Sequence, residues 1–194
     1  MKVNEIFCSL QGEGCNAGIP MVFVRFSGCN LNCPFCDTQH SDGVSMSENE
    51  IIEQTLQYDT QWVVFTGGEP ALQLTASLID GLHKHGRKAA VETNGTMPLP
   101  RNVDWTTLSP KDCWLGTEAR PSICSADELK VLYDGSNDPE KYMSTVNAKH
   151  FLLQPMDTGN HQKNTLILAS AVDYVMNHPR WRLSLQIHKI IGIK

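Results

Sequence analysis

The sequence predicts an α/β fold, an open or partial (β/α)6 barrel with trimmed helices, with residues 1–194 forming one domain. Three observations predict it. Strand-like and helix-like segments alternate along the chain, which implies parallel strands joined by right-handed crossovers. Every unusual polar motif follows the C-terminal end of an expected strand, where folds of this class place their sites. Several connections, such as Thr96 to Asn102, are too short for full helices, hence the trimming.

Val3 to Gln11 alternates apolar and polar residues like a half-buried strand, and ends in the turn Gln11-Gly-Glu-Gly14. Met21 to Phe26 is a strand that delivers a cysteine-rich loop. Ser47-Glu-Asn-Glu50 is a capping box that opens a helix through about Asp59. Trp62 to Phe65 is a buried strand leading into Thr66-Gly-Gly-Glu-Pro70. A helix from Ala71 to about Gly86 places Leu74, Leu78 and Leu82 on one face. Lys88–Val91 is a strand into Glu92-Thr-Asn-Gly95, and Val103–Leu108 another into Ser109-Pro-Lys111. Glu128–Tyr133 fits strand or helix and is assigned to strand; Pro139–Val146 is a short helix. His150–Leu153 is a strand into Gln154-Pro-Met-Asp157, a long helix covers Gln162–Asn177 before Pro179, and Arg182–Ile187 is the last strand. The apolar Ile190, Ile191 and Ile193 predict a tail that packs down, with the terminal carboxylate at Lys194 near the barrel mouth.

Composition narrows the function. At 41% hydrophobic and 19% charged residues, the chain reads as a soluble globular protein with one core. A net charge of -5 offers no basic footprint for nucleic acid or an anionic membrane. No apolar run approaches a membrane span, and Met1-Lys2-Val3-Asn4-Glu5 does not open a signal peptide. Seven cysteines is an odd count, which favours thiols over disulfides and predicts a cytoplasmic protein. Cys8, Cys15, Cys113 and Cys124 stand alone and read as ordinary packed or surface thiols.

Cys29, Cys33 and Cys36 do not stand alone. Gly28 frees the backbone just before them and Pro34 disfavours a helical conformation at Cys33, so the segment is a loop that can curl three sulfurs toward one point. Structural zinc usually takes four ligands, often in two separated pairs. Three close thiolates with no second pair suit a 4Fe-4S cluster with one iron open to a ligand. Zinc remains the alternative, and with it a non-catalytic zinc-binding module.

The spacing Cys29-x3-Cys33-x2-Cys36, with Phe35 before the last thiol, resembles the signature of the radical S-adenosylmethionine superfamily. The resemblance implies the partial barrel and a cofactor whose methionine amine and carboxylate chelate the open iron. One electron then cleaves that cofactor to a hydrogen-abstracting 5′-deoxyadenosyl radical. It gives Phe35 and Asp37 to the cofactor and makes Gly68 and Glu69 the holders of the methionine amine. Glu92, Ser109, Pro110 and Lys111, with Gln154, Pro155, Met156 and Asp157, follow strands and are candidate contacts for its carboxylate, ribose and adenine.

A narrower resemblance, to the 7-carboxy-7-deazaguanine synthase family, covers nearly the whole chain. Its marks are Ser9–Gly14, Arg25, Cys36-Asp-Thr38, Ser109–Lys111, Gln154–Asp157 and Leu185–Lys189. It implies radical ring contraction of 6-carboxy-5,6,7,8-tetrahydropterin with loss of ammonia, a Mg2+ requirement with Thr38 as ligand, an electron donor such as flavodoxin or ferredoxin, and a homodimer. A pterin is flat, with an edge of donors and acceptors. Gln11 and Glu13, with backbone at Leu10 and Gly12, can read that edge, and Arg25 offers a fork for a carboxylate. Thr66 and His188 are further candidate contacts at strand ends, and Lys194 is one through its terminal carboxylate. Some members carry insertions in the cysteine loop where this chain is compact, and residues 112–125 match no motif. A glycyl-radical enzyme activase is the rival of the same fold, though it would need neither the Gln-Gly-Glu-Gly turn nor Thr38.

Overall fold

The computed structural model describes residues 1–194. Strand β1 (Lys2–Leu10) pairs antiparallel with β2 (Pro20–Phe26), and the two-residue β3 (Val44–Ser45) flanks β1 on its other side. From β2 onward all pairing is parallel and in chain order: β4 (Trp62–Gly67), β5 (Lys88–Thr93), β6 (Trp105–Leu108), β7 (Ser125–Tyr133), β8 (Asn147–Pro155) and β9 (Trp181–Leu183). The sheet does not close, since β3 and β9 are its two edges. This is the open partial barrel that the alternation predicts. No helix is long and apolar enough to cross a membrane.

Period-two alternation sorts each strand between two faces. Val22, Val24, Phe26, Val63, Phe65, Ala89 and Val91 turn outward and form a buried cluster with Ile51, Leu78 and Leu82 of α1 (Glu48–Thr55) and α2 (Ala76–Lys84). A second cluster joins Leu129, Val131, Phe151, Leu153 and Trp181 to Ala171 of α4 (His161–Asn177). The opposite, inner face is apolar at its base, where Met21, Phe23, Val64 and Ala90 pack together. One step of register toward the C-terminal ends, that face turns polar with Arg25, Thr66, Glu92, Thr107, Glu128 and Lys130. This change of chemistry along one face makes the mouth a site.

Three of the four expected helices are shorter than expected, while α4 matches its expected span within one residue. At α1 the capping box forms, with Glu50 N donating to Ser47 Oγ (3.3 Å) and Ser47 N to Glu50 Oε2 (2.7 Å), but the helix stops at Thr55. The helix expected from Ala71 is split. A 3-10 turn at Pro70–Leu72, capped by Glu69, precedes α2, which starts only where Thr75 Oγ1 accepts from Leu78 N. Pro139–Tyr142 is likewise a 3-10 turn that stops short of Val146. Residues 112–125 hold α3 (Asp112–Leu115) and another 3-10 turn. There Trp114 packs edge-on against Phe35 at 4.8 Å, bracing the cysteine loop.

The end of the chain departs most from expectation. The last strand stops at Leu183, and Ile187–Ile191 coils as a short helix, α5. Ile187 N donates to Gly12 O (2.9 Å), which turns the chain across the mouth where a strand would have run on. The isoleucines do not pack down: Ile190 is 70% and Ile191 52% exposed. Polar contacts anchor the tail, with Ser9 Oγ donating to Lys194 O (2.6 Å) and the Lys194 ammonium pairing with Glu5.

Candidate active site

The cysteine loop leaves β2 through Gly28, whose φ of 88° only glycine adopts without strain. The glycines after β4 lie against it, backbone to backbone. A Cβ on Gly68 would fall inside the Gly28 carbonyl, and one on Gly67 inside that of Phe26. Gly68 N donates to Phe26 O and Glu69 N to Gly28 O, each at 3.0 Å. Beside this contact opens a cavity of about 220 Å3 lined by Cys29, Cys33 and Cys36. Burial raises the Cys29 and Cys33 thiols above the usual range. No three His, Cys, Asp or Glu side chains are already gathered as a metal-binding group, so the thiols share a wall without converging on a point. As a donor set they fit an iron–sulfur cluster, which matches soft thiolates.

Nine of the twelve residues expected at the cofactor line this same cavity: Phe35, Asp37, Gly68, Glu92, Ser109, Lys111, Gln154, Met156 and Asp157. Glu69, Pro110 and Pro155 do not. Glu69 is 1% exposed, and its carboxylate accepts from Ala71 N (3.0 Å), Thr93 Oγ1 (2.6 Å) and Asn94 N (2.7 Å). Within the chain it ties the loop after β4 to the loop after β5. The Lys111 ammonium donates to Ser109 O (2.6 Å) and Oγ (2.7 Å), and burial lowers its pKa to about 8. Asp157 accepts from Lys189 Nζ (2.8 Å), and that bond, with the Gly159 N–H and the Asn164 amide, lowers its pKa to about 2.

A second cavity of about 380 Å3 adjoins the first. Leu10, Gln11, Gly12, Glu13, Arg25, Thr66, His188 and Lys194, all eight residues expected at a substrate, line it. Glu13, Asp37, Thr38, Thr66, Glu92 and Gln186 line both cavities. The amide of Gln11 is engaged within the chain. Its Oε1 accepts from Glu13 N (3.1 Å) and its Nε2 donates to Glu92 Oε1 (2.9 Å), so it positions its neighbours. Glu92 also accepts from Thr66 Oγ1 (3.2 Å), which joins the ends of β1, β4 and β5. Arg25 lies over the Phe7 ring with its Nε 3.0 Å from Glu5 Oε1, but off the hydrogen-bonding direction. His188 fills the space that a side chain at position 12 would need, which accounts for Gly12.

Several site residues were not singled out from the sequence. Lys130, 7% exposed on β7, ion-pairs with Glu13. Glu128 accepts from Cys15 N (2.8 Å) and Thr107 Oγ1 (2.8 Å), and Ser184 Oγ accepts from Gly14 N (3.0 Å). Gln186 Nε2 donates to Glu13 Oε1 (2.8 Å), and Lys189 joins Asp157 to Asp37. One signal was available. Glu128 and Lys130 are charges at alternate positions in β7, flanking one apolar residue and followed by others, which places them together on one face.

Residues 23–105 match the family model described as the Radical SAM superfamily. A 7-carboxy-7-deazaguanine synthase of Bacteroides thetaiotaomicron is 49% identical over 193 residues, covering 100% of this chain and 98% of the relative. One from Nitratidesulfovibrio vulgaris is 44% identical over 218 residues, covering 99% and 98%. The crystal structure of QueE from Escherichia coli superposes with a TM-score of 0.79 at 28% identity, covering 96% of this chain and 94% of that one.

Proposed function

The chain belongs to the 7-carboxy-7-deazaguanine synthase family of radical S-adenosylmethionine enzymes, and from that premise we propose that it converts 6-carboxy-5,6,7,8-tetrahydropterin to 7-carboxy-7-deazaguanine with loss of ammonia. That makes it a carbon–nitrogen lyase of queuosine and deazapurine biosynthesis. One observation carries the reading: a thiol-lined cavity and a cavity lined by Gln11, Glu13 and Arg25 adjoin and share six residues. A hydrogen abstracted in the second is therefore within reach of chemistry held in the first.

Bound together, the 4Fe-4S cluster and S-adenosylmethionine supply the hydrogen-abstracting radical, and the protein supplies positioning. Cys29, Cys33 and Cys36 would hold the cluster. Backbone at Gly67 and Gly68, with Glu69 beside it, would receive the cofactor's amine, and Ser109, Lys111 and Gln154 would meet its remaining polar groups. Glu13 would accept from the pterin's amino and ring N–H edge, and Arg25 would meet its carboxylate, both lining the second cavity. Thr38, on the seam of the two cavities, is the Mg2+ ligand in this reading. Mg2+ commonly keeps few protein ligands and fills its shell with water and substrate oxygens. The reading also takes the protein as a single cytoplasmic domain that works as a homodimer and draws electrons from a flavodoxin- or ferredoxin-like donor.

The test is anaerobic turnover with the carboxypterin, S-adenosylmethionine, dithionite and Mg2+. Ammonia and the deazapurine are expected in equal amounts. Cofactor cleavage without either product would point to another substrate, and a colourless zinc protein to a binding module.

A further inference from the structure

We propose that Lys130 is a positioning residue for the pterin: its ion pair with Glu13 keeps that carboxylate a fixed, acceptor-only group toward the substrate's amino and ring N–H edge. The inference rests on the carboxypterin reading above. Lys130 lies mid-strand in β7, with Leu129 and Val131 turned into the outer core while its own side chain crosses the barrel to the turn after β1. Its ammonium has one hydrogen-bond partner, Glu13 Oε2, and lines the thiol-bearing cavity. The other oxygen of Glu13 accepts from Gln186 Nε2 at 2.8 Å, so both oxygens are oriented by donors.

Burying such a pair is not a good device for stability alone, because well-packed apolar residues often serve as well. What it does here is set a protonation state. The charged and titratable groups that share the cavities of Glu13 or surround its partner include Lys130 and Glu128 from β7, Glu92 from β5, Lys111 from the loop after β6, Arg25 from β2, Asp37 from the cysteine loop, His188 and Lys189 from α5, and Lys194 at the end of the chain. Glu92 and Glu128 are carboxylates like Glu13 itself, and Lys130 is the ammonium that touches Glu13. Burial alone would push the Glu13 carboxyl up, yet the charge and hydrogen bond of Lys130 bring it down to about 2. Without Lys130, a buried carboxyl near Glu92 and Glu128 takes up a proton at neutral pH. A protonated carboxyl donates a hydrogen bond, and it would then meet the donor edge of the pterin with a donor.

The test uses anaerobically reconstituted enzyme and two readouts, the carboxypterin Kd by equilibrium dialysis and the steady-state constants. For Lys130→Met, Kd and KM should rise about tenfold or more at pH 7 with a smaller change in kcat, and the deficit should shrink as pH rises toward about 9. Lys130→Arg should restore binding to within about threefold, since it keeps the positive charge. In a Glu13→Gln background, adding Lys130→Met should change Kd less than about twofold, because there is no carboxylate left to hold. Binding by Lys130→Met as tight as in the wild type, or a deficit that does not vary with pH, overturns the proposal. Should Lys130→Met fail to fold, the comparison of Glu13→Gln with the double variant decides, and a large added loss overturns it. Failure of the functional reading looks different: a wild-type enzyme that cleaves the cofactor but neither binds the carboxypterin nor releases ammonia, which would remove this inference with it.

Discussion

Thr38 and Cys33 stand five residues apart in one loop, and their chemistry separates them. A thiolate that holds iron has no substitute among its neighbours, so loss of one is all-or-none. Anaerobically reconstituted Cys33→Ala is expected to form no 5′-deoxyadenosine and to lose the broad iron–sulfur absorbance near roughly 400 nm; wild-type cleavage in that variant would refute the cluster assignment. Thr38 offers a single neutral oxygen, which suits a hard, water-rich ion only as one ligand among several. Thr38→Ala should therefore shift the Mg2+ concentration for half-maximal rate upward by about tenfold while leaving S-adenosylmethionine binding within about twofold. An unchanged Mg2+ titration removes Thr38 from the metal site.

Among elements, the contact between the cysteine loop and the glycines after β4 constrains the site most. Because Gly68 meets the Gly28 carbonyl with no room for a Cβ, Gly68→Ala must push the two loops apart or distort one of them. The sheet beneath is fixed by parallel ladders on both sides of β4, so the displacement falls on the loops. The variant should fold, with an unchanged far-ultraviolet spectrum, yet take up less than about half the wild-type iron on reconstitution. Normal iron content and normal cofactor cleavage would show that the close approach is incidental. The same pair of elements shows where sequence reasoning reaches. The loop at Gly28 was legible because Gly and Pro act on their own backbones, and the α2 face was legible because Leu78 and Leu82 repeat at a local period. The role of Glu69 was not, since its partners Thr93 and Asn94 lie more than 20 residues away and only the folded sheet brings them together. Nor was α5, whose start depends on Gly12 O at the other end of the chain.

At the scale of the whole molecule, the open seam between β1 and β9 is the distinguishing feature. No ladder closes it; polar contacts do: Ile187 N to Gly12 O, Gly14 N to Ser184 Oγ and Gln186 to Glu13 bridge it, Lys130 steadies Glu13 from β7, and Lys189 to Asp157 holds α5 against the loop after β8. A seam closed by carboxylates is sensitive to acid in a way that an apolar core is not. The folded-state pKa values of Glu13 and Asp157 are both about 2, below their ordinary values of 4.5 and 3.8. A group whose pKa is depressed by folding contributes stability that is fully present above its unfolded value and is lost as pH falls toward the folded one. The window is therefore the range from about pH 4.5 down to about pH 2. For Glu13, which is well shielded, the loss between about pH 5 and pH 3 is on the order of 2 kcal/mol. Asp157 is partly open to solvent and adds less, by screening. The measurement is urea unfolding of the cluster-free protein at both pH values, for the wild type and for Glu13→Gln/Lys130→Met. The double variant buries no lone charge and lacks the titrating pair, so its loss on acidification should be smaller by roughly that amount. Equal losses in the two proteins would mean that the Glu13–Lys130 pair does not hold the seam, and that the acid response of the fold comes from carboxylates elsewhere.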